Sequence, residues 1–251
     1  MSIRFAADIG GTFTDVVLDK NGLVHSKKLL TTYEDPANAV IAGLDQLMSE
    51  AALKAKDIEL VLHGTTLATN ALIERSGAKT ALLTTEGHRD VLEMAFENRF
   101  EQYDVDIDRR PPLIDRSLRL GVRQRHASDG EEIIPLDREQ VVSSVRLLSE
   151  QGVTSYAVGY LHSYTNPSHE LSTLEIIKDV VPEASVSLSS RVCPEIREYE
   201  RLSTTAANAY IKPLMEEYLE SLELQLRSRG LSCPLLLMTS GARGHQQKRT
   251  T

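Results

Sequence analysis

The chain has 251 residues and a formal net charge of −8 at pH 7, with 41 % hydrophobic and 25 % charged residues. These proportions are typical of a globular protein that is long enough to bury one or two cores. The negative charge argues against non-specific nucleic-acid binding, because no excess of basic residues would offset phosphate repulsion. No apolar run reaches membrane-spanning length and no signal segment is recognisable, so we expect no membrane association and a cytoplasmic location.

A pair of glycines between two strand-like runs, 3–7 and 16–19, predicts a tight hairpin turn near the amino terminus. The glycines can adopt positive φ and let an anion approach the main chain, where consecutive N–H groups would form a concave anion site. Two threonine hydroxyls add further donors. The predicted phosphate ligands are Gly10, Gly11, Thr12 and Thr14.

An aspartate stands on each side of this turn. Asp8 and Asp15 would repel a phosphate, but they can hold a hydrated Mg²⁺ that bridges to it, or they can orient a water molecule. Together with the turn they predict a nucleoside triphosphate site; a purely structural glycine hairpin is the simpler alternative. The sequence contains neither G-x-G-x-x-G nor the P-loop pattern, so the Rossmann and P-loop cradles do not apply.

A second polar turn follows the apolar run 60–62, and a helix is predicted after it. Hydroxyl and N–H groups at the start of that helix would point at anything docked on the turn. We therefore expect Gly64, Thr65 and Thr66 to contact the nucleotide. His63 and Asn70, which flank them, are candidates for lining a substrate site.

The remaining sequence alternates strands and helices, which indicates an α/β fold. Further strands are predicted at 23–30, 79–84, 118–125, 132–135, 153–161, 186–188 and 235–238, and helices at 36–48, 137–152, 167–180 and 202–229. Residues 98–116 contain two adjacent prolines and many charges, so they are predicted to form an ordered loop. Pro213 is expected to kink or split the last helix.

A His-x-Asp pair, His88 and Asp90, follows the strand at 79–84. Together with His63, these residues could bind a divalent metal or supply a general base. We keep His88 and Asp90 as further candidates for lining the substrate site. A structural role for each is the alternative.

The segments 8–15 and 63–75 together resemble the hydantoinase/oxoprolinase family, most closely its N-methylhydantoinase (hydantoin-utilisation protein A) type. Three further stretches agree with this resemblance: Glu-Asn-Arg-Phe-Glu-Gln-Tyr-Asp at 97–104, Asn-Pro-Ser-His-Glu at 166–170 and Pro-Glu-Ile-Arg-Glu-Tyr-Glu-Arg at 194–201. The likeness covers about residues 3–240. It implies an actin/hexokinase/Hsp70-like (ribonuclease H-like) ATPase lobe whose hairpin binds phosphate.

The resemblance also implies an activity, the ATP-dependent opening of a cyclic amide such as a hydantoin or 5-oxoproline. ATP would activate the carbonyl oxygen, with Mg²⁺ on Asp8, and Asp8 and Asp15 are the candidate catalytic residues. A hydantoinase B-type subunit is the implied partner in the complete enzyme. Two alternatives stay open, a small-molecule kinase of the same superfamily and a non-catalytic fragment.

The chain departs from the family pattern because it carries only one Asp-x-Gly-Gly-Thr hairpin, whereas family members carry a second one in a following domain. We predict an N-terminal domain at 1–190, the incomplete start of a hydantoinase A domain at 191–240, and a disordered tail at 241–251. The tail is polar and basic, with no large apolar residue. We interpret the chain as a truncated or frame-shifted product that stops before the second lobe.

Overall fold

The computed structural model describes residues 2–32, 34–96, 103–106 and 111–238, and the backbone of 244–246. The chain divides into two compact units. The first unit contains Met1–Glu74 and Leu214–Thr251, and the second contains Arg75–Pro213. The second unit is therefore inserted in the sequence of the first. The boundary predicted near residue 190 coincides with neither junction.

The strands, numbered along the chain, are β1 (Ile3–Ile9), β2 (Phe13–Lys20), β3 (Leu23–Leu30), β4 (Leu60–Thr65), β5 (Thr80–Thr85), β6 (Arg119–Val122), β7 (Arg125–His126), β8 (Glu132–Ile134), β9 (Ser155–Gly159), β10 (Ser185–Leu188), β11 (Leu235–Met238) and β12 (Gly244–Gln246). The helices are α1 (Ala37–Glu50), α2 (Leu67–Glu74), α3 (Val91–Met94), α4 (Arg138–Glu150), α5 (Ser168–Val180), α6 (Ser189–Val192) and α7 (Glu198–Ser228). Short 3-10 turns lie at Ala55–Asp57 and Arg116–Leu118.

The first unit is built on a six-stranded mixed sheet with the order β12-β11-β4-β1-β2-β3. Strands β1, β2 and β3 form an antiparallel meander, while β4 runs parallel to β1 and β11 runs parallel to β4. Strand β12 pairs with β11 in the antiparallel sense. The sheet therefore joins the two ends of the described chain.

Strand β1 shows why this sheet has one buried face and one open face. Ile3, Phe5 and Ile9 are buried, whereas Arg4 and Asp8 between them are exposed, as the two-residue period of a strand requires. The buried face shares one core with α1 and with the carboxyl-terminal half of α7. Each large apolar side chain buried there contributes about 1.5–3 kcal/mol. Asp8 lies on the face opposite this core.

The second unit contains a four-stranded parallel sheet with the order β10-β9-β5-β6. Every residue of β5 and β9 is buried, which is typical of parallel strands covered on both faces. Its core includes Leu82 and Val158 from the sheet, Val145 from α4 and Ile177 from α5. A separate two-stranded ribbon of β7 and β8 completes this unit.

The long last helix starts at Glu198, four residues before the predicted 202, and Pro213 lies inside it. The predicted split at Pro213 was wrong, because α7 continues through this residue. The boundary between the two compact units nevertheless falls there, so the two halves of α7 belong to different units. No helix within the described residues is both long and apolar enough to cross a membrane.

Two predictions fall partly outside the described residues. The loop predicted at 98–116 lies outside the described residues at 98–102 and 107–110, and its end overlaps the 3-10 turn Arg116–Leu118. Most of the tail that was predicted to be disordered, 241–243 and 247–251, also lies outside it. Residues 244–246, however, form β12. The prediction of disorder was therefore wrong for these three residues, whose backbone pairs with β11.

Candidate functional site

The predicted hairpin is present, with its turn at residues 10–12. The N–H of Gly10 donates to the carbonyl of Phe13 at 2.9 Å and closes the turn. Neither Gly10 nor Gly11 has a positive φ, so that part of the prediction was wrong. Both glycines have close neighbours: a Cβ atom would lie 3.1 Å from the Phe13 carbonyl at Gly10, where the neighbour is backbone, and 3.1 Å from the Asn70 amide nitrogen at Gly11, where a side chain could move.

Thr31, which the sequence analysis did not single out, donates hydrogen bonds to two of the three carbonyls of the turn. Its N–H donates to the carbonyl of Thr12 at 3.0 Å, and its hydroxyl donates to the carbonyl of Gly10 at 3.0 Å. The N–H groups of Gly11 and Thr12, in contrast, have no acceptor among the described residues. Both residues are exposed. The open side of the turn thus offers donors, which is what an anion requires.

Thr14 does not contribute to that open side. It is fully buried, and its hydroxyl lies 3.0 Å from that of Thr31. Because the Thr31 hydroxyl donates its proton to Gly10, the Thr14 hydroxyl must donate to Thr31. The predicted phosphate contact of Thr14 is therefore corrected: this side chain supports Thr31 from inside. Thr12, whose side chain is exposed, keeps its hydroxyl available.

The two aspartates differ in their surroundings. They are directly opposite each other in the hairpin, on the open face of the sheet. Asp15 pairs with Lys28 at 3.0 Å, whereas no described residue forms an ion pair or hydrogen bond with the Asp8 carboxylate. Asp8 is also in register with Gly64 of β4, where a Cβ atom would lie 3.0 Å from Asp8 Oδ1. Gly64 therefore provides the space that the Asp8 carboxylate occupies.

The Gly-Thr-Thr segment fixes the start of α2 against β1. The N–H and the hydroxyl of Thr66 both donate to the carbonyl of Ile9, at 3.0 and 3.2 Å. The hydroxyl of Thr65 accepts the N–H of Leu67 at 3.1 Å and so caps the helix. These bonds place Asn70, one turn into α2, beside Gly11. The structure thus brings the two predicted motifs together at one site.

His63 lies on the other face of the sheet. It is 1 % exposed and in register with Ala7, which faces the core. Its Nδ1 lies 3.2 Å from the Ala7 carbonyl, so Nδ1 carries the proton, and its Nε2 accepts the hydroxyl of Tyr218 at 2.7 Å. Burial lowers the pKa of His63 to about 4. His63 is therefore a neutral residue of the core, and its predicted substrate-lining role is corrected.

His88 and Asp90 belong to the second unit and do not form the predicted metal pair. His88 Nδ1 contacts the Glu86 carbonyl at 3.1 Å. Asp90 accepts two hydrogen bonds of 2.9 Å from Arg116, and these bonds lower the pKa of its carboxyl. An aspartate held in this way is an ion-pair partner and a poor candidate for a base. Within the described residues, the group that could hold a metal ion lies elsewhere and includes neither His88 nor Asp90.

The meander β3-β2-β1, with β4 and β11 alongside, fits the fold of an actin/hexokinase-like ATPase lobe. Residues 4–181 match the model of the hydantoinase/oxoprolinase N-terminal region. The chain belongs to the hydantoinase/oxoprolinase family, which confirms the resemblance. The crystal structure of the ATP-dependent caprolactamase from Pseudomonas jessenii superposes with a TM-score of 0.85 at 34 % identity and covers 94 % of this chain and 35 % of that chain.

Three relatives show the range of the family. The caprolactamase subunit alpha of Pseudomonas jessenii is 37 % identical over 92 % of this chain and 34 % of its own length. The acetophenone carboxylase gamma subunit of Aromatoleum aromaticum is 35 % identical over 92 % and 34 %. The 5-oxoprolinase 1 of Arabidopsis thaliana is 29 % identical over 86 % and 19 %. The chain thus spans about a third or less of the length of these relatives.

Proposed function

We propose that this chain supplies the phosphate-binding lobe of an ATP-dependent enzyme that hydrolyses a cyclic amide of the hydantoin or 5-oxoproline type. The observation that carries the proposal is the turn at 10–12. Thr31 binds the carbonyls of Gly10 and Thr12, while the N–H groups of Gly11 and Thr12 have no acceptor among the described residues and no described residue pairs with the Asp8 carboxylate. Two relatives named a caprolactamase and a 5-oxoprolinase support a cyclic amide as the substrate.

The residues present fit Mg-ATP. Gly11, Thr12 and the Asn70 amide group would donate to phosphate oxygens, and Asp8 would hold the hydrated Mg²⁺, because a hard cation prefers carboxylate and water oxygens. The bound metal would neutralise charge that develops on the phosphates. Asp15, which Lys28 already neutralises in part, would support the hairpin more than the chemistry. Such a site acts by positioning and by charge stabilisation.

In the proposed reaction the terminal phosphoryl group of ATP moves to the lactam oxygen, and ADP leaves as the bond to the β-phosphate breaks. Water adds to the ring carbon, and the ring C–N bond breaks as the nitrogen takes up a proton, which leaves an acyl phosphate. A second water molecule then displaces phosphate and gives the ring-opened acid. Two of the relatives are named as subunits, which supports a partner subunit for this chain; that the partner is of the hydantoinase B type is our proposal from the family resemblance. We assign to Asp8 of this chain the role of binding the hydrated metal ion or orienting the attacking water molecule.

A second candidate function is ATP-dependent carboxylation, because the acetophenone carboxylase gamma subunit is nearly as similar in sequence as the caprolactamase subunit. The same turn would serve both reactions, since each begins with ATP. Product analysis of the assembled enzyme separates them: a ring-opened acid indicates the amidase, and a product that has gained carbon dioxide indicates the carboxylase.

The phosphate site itself is tested by nuclear magnetic resonance of the isotope-labelled chain titrated with Mg-ATP. We expect the amide signals of Gly11 and Thr12 to shift most, even if the affinity is only about 1 mM. Asp8→Ala should reduce the shifts. The control Glu59→Ala, which removes the same charge at an exposed position at the other end of the sheet, should not. Shifts confined to other residues would overturn the proposed site.

A further inference from the structure

Two histidines and a glutamate come together in the second unit, and of these three residues only His169 lies in a stretch named above, 166–170. His126 ends β7, Glu132 begins β8 opposite it, and His169 lies in the first turn of α5. One ligand atom from each residue lies within 4.8 Å of the other two. Both histidines are buried, at 1 and 4 % exposure, while half of the Glu132 side chain is exposed. This cluster is therefore enclosed on one side and reachable from solvent on the other.

The hydrogen bonds of His169 fix which of its nitrogens faces the cluster. Gln124 donates its amide N–H to the Thr85 hydroxyl at 2.6 Å, so its oxygen faces His169 Nδ1 at 3.0 Å and accepts a proton from it. His169 Nε2 lies 2.8 Å from Glu132 Oε2. In a neutral ring that is protonated on Nδ1, the lone pair of Nε2 would point at a carboxylate oxygen. This contact is unfavourable unless a proton or a metal cation lies between the two atoms. A bond from the other ring nitrogen to an amide oxygen is also how metal-binding histidines are oriented.

His126 supplies a second nitrogen that lacks a partner. Its Nδ1 is buried and has no hydrogen-bond partner among the described residues, and its Nε2 makes only a 3.4 Å contact with the Ser168 hydroxyl. The ring stacks on His169 with 3.9 Å between centroids. Burial and the neighbouring His169 lower the pKa of His126, which keeps its ring neutral and able to act as a ligand. A buried polar atom without a partner is uncommon and costs about 1–3 kcal/mol.

We propose that His126, Glu132 and His169 bind a divalent transition-metal ion of the zinc type. Two imidazoles and one carboxylate are a known ligand set for Zn²⁺, with a fourth position left for water. Zn²⁺ ligands at about 2.1 Å lie roughly 3.4 Å apart in a tetrahedral site, so on binding the 2.8 Å distance between His169 and Glu132 would lengthen and the longer distances in the cluster would shorten. Glu132 can provide that movement, because it is half exposed and lies in a ribbon of only two short strands.

The test is a titration of the chelator-treated chain with ZnCl₂ in competition with a chromophoric chelator. The chain should bind one equivalent. Glu132→Gln and His126→Gln should each weaken binding by at least ~10-fold, since even changes beyond the direct ligands cost that much. Glu131→Gln and His25→Gln are matched controls on exposed or partly exposed residues outside the cluster, and they should bind like the wild type. Co²⁺ should give the visible absorption of a tetrahedral site.

Thermal melting with and without ZnCl₂ provides a readout that does not depend on any activity. The metal should raise the melting temperature of the wild type and of both controls, but not that of Glu132→Gln. Glu132→Gln decides the test if His126→Gln does not fold, because a half-exposed side chain can be replaced without disturbing the core. Wild-type binding weaker than about 10 μM, or equal binding by wild type and Glu132→Gln, would leave only a His–Glu ion pair and overturn the proposal.

Discussion

At the scale of single residues, the turn at 10–12 depends on Thr31, a residue that lies outside the motif. Thr31 makes three hydrogen bonds, to the carbonyls of Gly10 and Thr12 and with the Thr14 hydroxyl. These bonds occupy two of the three carbonyls of the turn, whereas the N–H groups of Gly11 and Thr12 have no acceptor among the described residues. The expected preference of the turn for an anion therefore depends on Thr31, which directly follows β3, as well as on the glycines.

Thr31→Val should test this support. Valine keeps the shape but leaves the Gly10 carbonyl and the buried Thr14 hydroxyl each without a partner, so the free energy of unfolding should fall by about 1–3 kcal/mol. Urea denaturation measures the change, and Mg-ATP binding should weaken as well. The control Thr154→Val replaces an exposed threonine whose hydroxyl has no partner among the described residues. Equal losses in both variants would contradict the role given to Thr31.

Gly64→Ala should act on Asp8 without touching the turn. The added Cβ would lie 3.0 Å from Asp8 Oδ1, so the carboxylate must move away from its place on the sheet. We expect Mg-dependent nucleotide binding to fall towards the level of Asp8→Ala, with a loss of stability below about 1.5 kcal/mol. Isothermal titration in the presence and absence of Mg²⁺ measures this. Unchanged magnesium dependence in Gly64→Ala would separate Asp8 from the metal.

At the scale of elements, His63 connects three of them. It lies in β4, donates to Ala7 in β1 and accepts from Tyr218 in α7. All three elements contribute to the core of the first unit. Strand β1, which carries Asp8, is thus hydrogen-bonded to His63 on its core side at Ala7, one residue before Asp8. The Tyr218 hydroxyl is also buried, which raises the pKa of Tyr218.

The buried state of His63 predicts a pH dependence of stability. Its pKa is about 4 in the folded chain and about 6.5 when unfolded, so the unfolded chain binds more protons between these values. The free energy of unfolding should therefore fall as the pH drops from about 6.5 to 4, by up to roughly 3 kcal/mol from this residue. His63→Gln should flatten the curve in urea melts across this range, while His25→Gln should not. A slope that survives His63→Gln would assign the effect to other groups.

Some elements could be predicted from local pattern alone, and others could not. The hairpin, the meander and most helices follow from glycines, caps and apolar periodicity. The same two-residue period places Thr14 with Val16, and His63 with Val61, on the buried face, so it could have corrected both predictions. Thr31 and the cluster of His126, Glu132 and His169 carry no such signal, because separate segments bring their partners together. The division into units was not predicted for the same reason: β11 pairs with β4, although the whole second unit lies between these two strands in the sequence.

At the scale of the whole molecule, the chain spans about a third of the length of the caprolactamase subunit alpha, and its sequence contains one Asp-x-Gly-Gly-Thr segment. We expect the isolated chain to bind Mg-ATP weakly and to hydrolyse it negligibly. Each charge-assisted hydrogen bond that a second lobe would supply is worth about 1.5–3 kcal/mol, so losing several removes most of the affinity. Calorimetry and a phosphate-release assay measure both quantities. Micromolar binding with steady turnover would show that these residues suffice.

The pairing of β11 with β4 also determines when the sheet of the first unit can be completed during synthesis. About 170 residues separate the two strands, which at roughly 5–20 residues per second corresponds to ~10–35 seconds on the ribosome. The second unit, continuous in sequence and with its own core, can fold within that interval, while β4 presents an unpaired edge. A nascent chain of this kind is most exposed to wrong strand pairing before β11 is synthesised, and the open edge of β4 is where such pairing would occur.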